Sequence, residues 1–346
     1  MNKNTKFYII AGIIVIVITI LVLFSNSCGK KNNDANVTPK TSSQSIATLT
    51  KITNVNVIFP YILANSSVTG IVDKYFSNIY QGTTNKLTND SAEEVESVAY
   101  SRNGDKAIAS GTYPSPYLRL YDFLSNQSKY LNIKMENVQF SKNNKIYYSY
   151  FDSEKNIWSL NISEIDGSNW QTIVELNDNG NLKFEISPTE DKAIIYNNWF
   201  GINGKSKSFF VEINSKKISE MSEQYEIKSV SWSPDEKNIA FLDSDNKLNI
   251  FNVDQTKYFK TDIYSAYLKF GWEDNDNIFV STPNNLKSVN YSTDENFYSY
   301  NINSQKTTKI SPSSSGVVVE NVHVVSIINK SVYITINENV YELKLP

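Results

Sequence analysis

The sequence predicts an all-β chain folded as a single β-propeller, and three observations lead there. The apolar residues are dominated by Tyr, Phe, Ile and Val, with 22 Tyr and 17 Phe among 346 residues, a bias that favours strands. Five segments repeat the order apolar strand, polar turn, apolar strand. Their turn residues Ser101, Ser141, Ser187, Ser233 and Glu273 are spaced by 40, 46, 46 and 40 residues. A period of about 40 to 45 residues is the spacing of four-stranded propeller blades.

The turns carry their own chemistry. Each serine opens a turn with a hydroxyl that can bond back to the backbone, and in the fourth repeat Pro234 presets φ while Asp235 tolerates the bend. An earlier unit is expected between Val55 and Thr88, with strands at Val57-Ile58-Phe59, Ser67 to Val72 and Tyr75 to Tyr80. A last unit follows Pro312, with strands at Asn321 to Ile327, Val332 to Ile336 and Val340 to Leu345, and it is one strand short. The isolated strand-like segment Ile46 to Ile52 can supply the missing outer strand and leave no open edge. The resulting count is seven four-stranded blades, with six and eight as alternatives.

The segment Trp232-Ser233-Pro234-Asp235-Glu236-Lys237-Asn238-Ile239-Ala240-Phe241 resembles the WD40-like repeat of the TolB (PD40) type. The same repeat occurs in the propellers of prolyl oligopeptidase-like and tricorn-like proteases. Leu248 to Asp254 matches the family's third strand and Gln255 to Thr261 its outer strand. The resemblance extends over residues 46–346, sharp in one repeat and degraded in the others. It implies a blade and no catalytic residue.

Before the repeats, Lys3 and Lys6 precede an unbroken apolar run from Phe7 to Phe24. Eighteen helical residues rise about 27 Å, close to the roughly 30 Å hydrocarbon core of a bilayer. Residues 1–28 therefore read as a hydrophobic helix serving as signal or anchor, with the remainder exported and held at the cell membrane on its extracytoplasmic side. Ser25-Asn26-Ser27-Cys28 resembles the lipobox of bacterial lipoproteins, with Ser27 fitting the pattern and Ser25 and Asn26 departing from it. Lipid attachment at Cys28 and an uncleaved anchor helix are both open, and both tether the chain. Residues 29–45 are almost devoid of apolar side chains and read as a flexible polar linker.

Several functional classes are excluded or disfavoured by composition. With one Cys and one His (His323), the chain can build neither a thiolate zinc cluster nor a multi-histidine metal site. His323 reads as a strand residue. The net charge of -3 and the lack of basic runs argue against nucleic acid. Asp243-Ser244-Asp245-Asn246 and Asp274-Asn275-Asp276-Asn277 read as hairpin turns, since they lack the Gly and distal Glu of a calcium loop. No cofactor is expected.

The expectation for function is non-catalytic binding. In this family the inter-blade loops and the loops joining second to third strands share one face. Three of those loops are long and aromatic, placing Tyr113, Tyr117, Trp199, Phe200 and Tyr291 as candidate contacts for an envelope protein, a peptide or a glycan. The alternative is a carboxylate-dependent hydrolase or other glycan-acting enzyme on the same face, since such chemistry needs only two Asp or Glu.

Overall fold

A computed structural model gives the structure of the protein. It describes residues 41–53, 56–63, 68–72, 78–81, 85–86, 95–112, 115–177, 181–197, 207–222, 226–266, 269–283, 295–312 and 322–346. The expected N-terminal helix and most of the linker lie outside these residues. Among the described residues every regular element is a strand, and no helix is long and apolar enough to cross a membrane.

Strand β1 (Thr41–Lys51) opens the described chain. The first sheet holds β2 (Val57–Ile62), β3 (Val68–Val72), β4 (Asn78–Gln81) and β5 (Asn85–Lys86). The second holds β6 (Val95–Tyr100), β7 (Lys106–Gly111), β8 (Tyr117–Asp122) and β9 (Gln127–Tyr130). The third holds β10 (Met135–Phe140), β11 (Lys145–Asp152), β12 (Ile157–Glu164) and β13 (Gln171–Leu176). The fourth holds β14 (Leu182–Ile186), β15 (Lys192–Asn197), β16 (Ser208–Glu212) and β17 (Lys217–Ser222). The fifth holds β18 (Ser229–Trp232), β19 (Asn238–Leu242), β20 (Lys247–Asn252) and β21 (Lys257–Tyr264).

An eight-stranded sheet completes the set. One half is β22 (Phe270–Trp272), β23 (Asn277–Pro283), β24 (Glu295–Asn301) and β25 (Lys306–Pro312). The other is β26 (His323–Ile328), β27 (Ser331–Ile336) and β28 (Asn339–Lys344). Strand β1 joins them. Its Thr41–Ala47 stretch runs parallel to Thr307–Pro312 of β25, and its Thr48–Lys51 stretch runs antiparallel to Tyr341–Lys344 of β28. The strand therefore starts before Ile46, because the edge of β25 offers partners to residues too polar to read as strand. Its second half supplies the outer strand that β26–β28 lack.

The sheets are arranged as a propeller. The first strand of each is innermost, and these strands follow one another: β2 beside β6, β6 beside β10, β14 beside β18, β18 beside β22, β22 beside β26, and β26 beside β2. A hydrophobic core fills each seam between neighbouring sheets. Phe184, Leu160 and Val211 pack between the third and fourth, for example, and Val57, Ile62, Tyr333 and Val340 between the last half-sheet and the first. Each core is built from two sheets, since strand alternation gives every sheet two faces to cover.

The turn serines are buried and bonded as their chemistry requires. Ser233 Oγ donates to Asp235 and accepts from the Asn238 amide at 3.0 Å, and Ser101 does the same with Asp105 and the Lys106 amide at 2.9 Å. Three residues on, the backbone is left-handed at Gly104, Asn144, Glu190 and Glu236. Glycine and asparagine suit that conformation, whereas glutamate does not. Here both glutamates are used: Glu190 accepts from the Lys142 amide and Glu236 from the Thr189 amide, each in the preceding sheet.

Candidate functional site

Within each sheet the loop after the second strand and the loop before the first open on the same face of the ring. Two cavities open there, and both are walled by innermost strands. The smaller, about 570 Å³, lies against β6, β10 and β14. Its wall carries Glu96, Glu136, Gln139, Lys183 and Glu185, with Tyr117 at the mouth. The larger, about 940 Å³, lies against β2, β26 and β6 and is mostly apolar, with Phe59, Pro60, Tyr61, Val324 and Val325 in its wall. Val95 and Val98 belong to β6, whose Val98 lines both cavities. The polar cavity and the apolar one thus adjoin at β6, as a polar and an apolar lobe.

The polar lobe is organised by hydrogen bonds from one sheet to the next. Gln139 Nε2 donates to the Phe184 carbonyl at 2.9 Å and to Glu185 Oε2 at 3.3 Å. Asn137 Nδ2 reaches the Leu182 carbonyl at 2.9 Å. At the mouth Thr112 Oγ1 donates to Glu96 Oε1 at 2.9 Å, and Ser97 and Ser110 share a 2.6 Å hydroxyl bond. Burial pushes the Glu185 carboxyl up to about 7, against the opposing bond from Gln139. Burial likewise raises Glu136 and lowers Lys183, because removal from water disfavours the charged form of either sign.

Of the residues predicted from sequence, the structure places Tyr117 at this site, half-buried at the start of β8. Burial raises its hydroxyl pKa, with further upward pushes from Tyr121 and Tyr130. Arg119 stands 5.2 Å over the Tyr121 ring and 5.1 Å over the Tyr130 ring, an aromatic and cationic cluster beside the mouth. Tyr113, Trp199, Phe200, Tyr291 and Cys28 lie outside the described residues. Sequence reading missed the carboxylates. A signal for them existed: Glu96 and Glu136 each stand five residues ahead of their turn serine, and Gln139 and Glu185 each stand two ahead.

His323 begins β26, where the sequence placed it in a strand. It lines the apolar lobe, and its pKa is lowered first by burial and then by Lys269, with Glu295 working the other way. Glu295 is buried and accepts from Lys269 Nζ, from Ser281 Oγ and, at 3.3 Å, from the Val322 amide. Ser281 thus bonds a carboxylate and not the imidazole. The acidic turns serve their own backbone: Asp243 Oδ1 accepts from the Asp245 and Lys247 amides, and Asp274 Oδ1 from Asp276 and Asn277. No group of three or more His, Cys, Asp or Glu able to hold a metal occurs among the described residues.

Residues 210–275 match the family of the anaphase-promoting complex subunit 4 WD40 domain, a stretch that includes the Trp232-Ser233-Pro234-Asp235 turn. The chain is a β-propeller with a WD40-like stretch at residues 210–275. Three solved structures share its fold. The β-propeller domain of Cps50 (Swd1) from Myceliophteria thermophila superposes with a TM-score of 0.59 at 9% identity, over 87% of this chain and 100% of that one. An oligogalacturonate lyase in complex with manganese gives 0.59 at 10% identity, over 87% and 91%. The tricorn protease gives 0.55 at 10% identity over 88% of this chain, which spans about a third of the protease chain (34%). No curated protein matches the sequence. Two of the three are named as enzymes and the third only as a β-propeller domain, so the shared fold leaves activity undecided.

Proposed function

We propose that this WD40-like propeller is a non-catalytic binding module of the TolB (PD40) type that captures an envelope protein, peptide or glycan at its axial site. The observation that carries the reading is the two-lobed site itself. Tyr117, from one of the loops expected to bear contacts, lines its polar lobe. A rigid ring held by buried seams presents these groups without ordering cost, which favours binding. The ring is seven-bladed in this reading, with β1 as the outer strand of the last blade; the seven seam cores support that count. Residues 1–28 anchor it on the extracytoplasmic side of a membrane, through the apolar helix or through lipid on Cys28.

The full-length chain, solubilised in detergent, is the bait for the test. Envelope extract is passed over wild type and over Tyr117→Ala, and captured molecules are read by mass spectrometry. Specific capture by wild type that Tyr117→Ala abolishes, at unchanged thermal midpoint, upholds the axial site. Equal capture by both moves the site elsewhere. Fractionation tests the anchor: full-length protein that stays in the aqueous phase without detergent overturns it.

A second reading, carboxylate chemistry in the polar lobe, is favoured by one observation: Glu185 at about 7 can give and take a proton at neutral pH. Turnover of an oligosaccharide that Glu185→Gln abolishes, while binding persists, would establish it over pure capture.

A further inference from the structure

The apolar lobe is lined by apolar side chains that stay partly open to solvent. Phe59, Pro60, Tyr61, Val98, Val324 and Val325 face into about 940 Å³ of open space, each only half-buried. Apolar area of this kind at the axis of a ring gains from being covered, at roughly 25 cal/mol per Å². Its neighbours define what covers it. Around the two lobes stand four carboxylates, Glu96, Glu136, Glu185 and Glu338, against one ammonium, Lys183. The whole chain carries a net charge of only -3. Three of the four carboxylates line the polar lobe, beside the open apolar surface, and Glu338 lines the apolar one.

From this complementarity we propose that the axial site takes a peptide segment of a partner protein in which a basic side chain lies next to apolar residues. The apolar residues fill the lobe between β2 and β26, and the Lys or Arg enters the polar lobe against Glu136 and Glu185. The proposal rests on the binding reading above and adds the chemical class of the partner. The shape fits: the lobes meet along β6 at Val98, so one extended segment can reach both. The charge fits too. A base in the polar lobe would give Glu136 and Glu185 a counter-charge beside that of Lys183. Charge-assisted bonds of that kind are about twice as strong as neutral ones. An acidic segment would set like charge against those carboxylates and a purely apolar one would offer them no partner, which disfavours both.

The test is panning of a phage-displayed random dodecapeptide library on the immobilised full-length chain. Wild type, Glu136→Gln/Glu185→Gln and Tyr61→Ala are run in parallel, and spermidine is measured separately by calorimetry. The expected result is enrichment of sequences with Lys or Arg beside Leu, Ile, Phe or Trp. Affinity for a synthetic copy of the top sequence should fall about tenfold in the double Gln variant and on replacing its base by Gln, the loss of one charge-assisted contact. A retained thermal midpoint in the double Gln variant shows that the fold is intact. Enriched peptides without a basic residue, or equal affinity in the double variant, overturn the proposal. If such peptides still lose binding on Tyr61→Ala, the axial binding reading survives without the charge rule. Peptides indifferent to every variant overturn both. Spermidine binding with no enriched peptide identifies a small cation and also overturns the peptide.

Discussion

The seams between sheets are not tied in the same way, and the difference locates the site. Where the first meets the second, the fourth the fifth, and the fifth the β22–β25 half, the residue just ahead of the turn is an aromatic donor. Tyr100 OH reaches the Phe59 carbonyl at 3.0 Å, Trp232 Nε1 the Glu185 carbonyl at 3.2 Å, and Trp272 Nε1 the Ser231 carbonyl at 3.0 Å. The intervals of 41, 47 and 41 residues follow the repeat. Each ring fills its seam and satisfies a backbone acceptor on the neighbouring innermost strand. In the third and fourth sheets the same position holds Phe140 and Ile186, which can donate nothing. There the neighbouring positions carry polar side chains instead, Asn137 and Gln139, which reach forward to the fourth sheet. That is where the polar lobe opens. Aromatic closure and polar lining are alternative uses of one strand, and the chain uses both.

The contrast can be broken most forcefully at Trp232. Trp232→Ala removes a buried ring from the seam core and a donor from the Glu185 carbonyl, and should cost about 3–5 kcal/mol. A urea midpoint unchanged within error would show that the aromatic does not hold that seam. Next in size is a pH effect in the polar lobe. Glu185 is raised to about 7 from a usual 4.5, so its stabilising contribution is complete below about 4.5 and is lost as pH rises through 7. Glu273, raised to about 7 mainly by burial, tilts stability in the same direction, and His323, lowered, tilts it in the other. The stability of wild type minus that of Glu185→Gln isolates the first group: it should fall steadily between about pH 4.5 and 7 and level off above that. A flat difference would place Glu185 in ordinary water.

Smaller changes sharpen the comparison. Tyr100→Phe keeps the ring, which stacks on Tyr61 at 5.2 Å, and deletes only the bond to Phe59; the expected loss is about 1 kcal/mol. A loss as large as that of Trp232→Ala would mean that the bond, and not the packing, dominates. At the low end, Lys145→Ala breaks the exposed 3.2 Å ion pair with Glu164 and should change the midpoint by less than about 1 kcal/mol. A larger effect would point to a role of Lys145 beyond that pair.

Much of this architecture was legible because it is local and periodic. The turn serines, the strand alternation and the spacing of Ser101, Ser141, Ser187, Ser233 and Glu273 each report on a handful of adjacent residues. The lone segment from Ile46 could be assigned to the last sheet because β26–β28 visibly lacked a partner. The candidate site was less legible. Aromatic loops drew attention to Tyr117, while Glu136 and Glu185 were passed over as ordinary polar residues within strands. Their fixed offsets from the turn serines mark equivalent strand positions, but not that the positions share a cavity.

The sequence by itself determined the strand content, the repeat and the turn chemistry, since hydrophobic period and backbone preference act over a few residues. Only the tertiary structure decided that β1 spans the edges of both β25 and β28, and that Glu96, Glu136 and Glu185 wall one cavity. Those facts depend on residues dozens to hundreds of positions apart. Closure of the ring brings them together, and neither pairing partner nor shared cavity leaves a local trace.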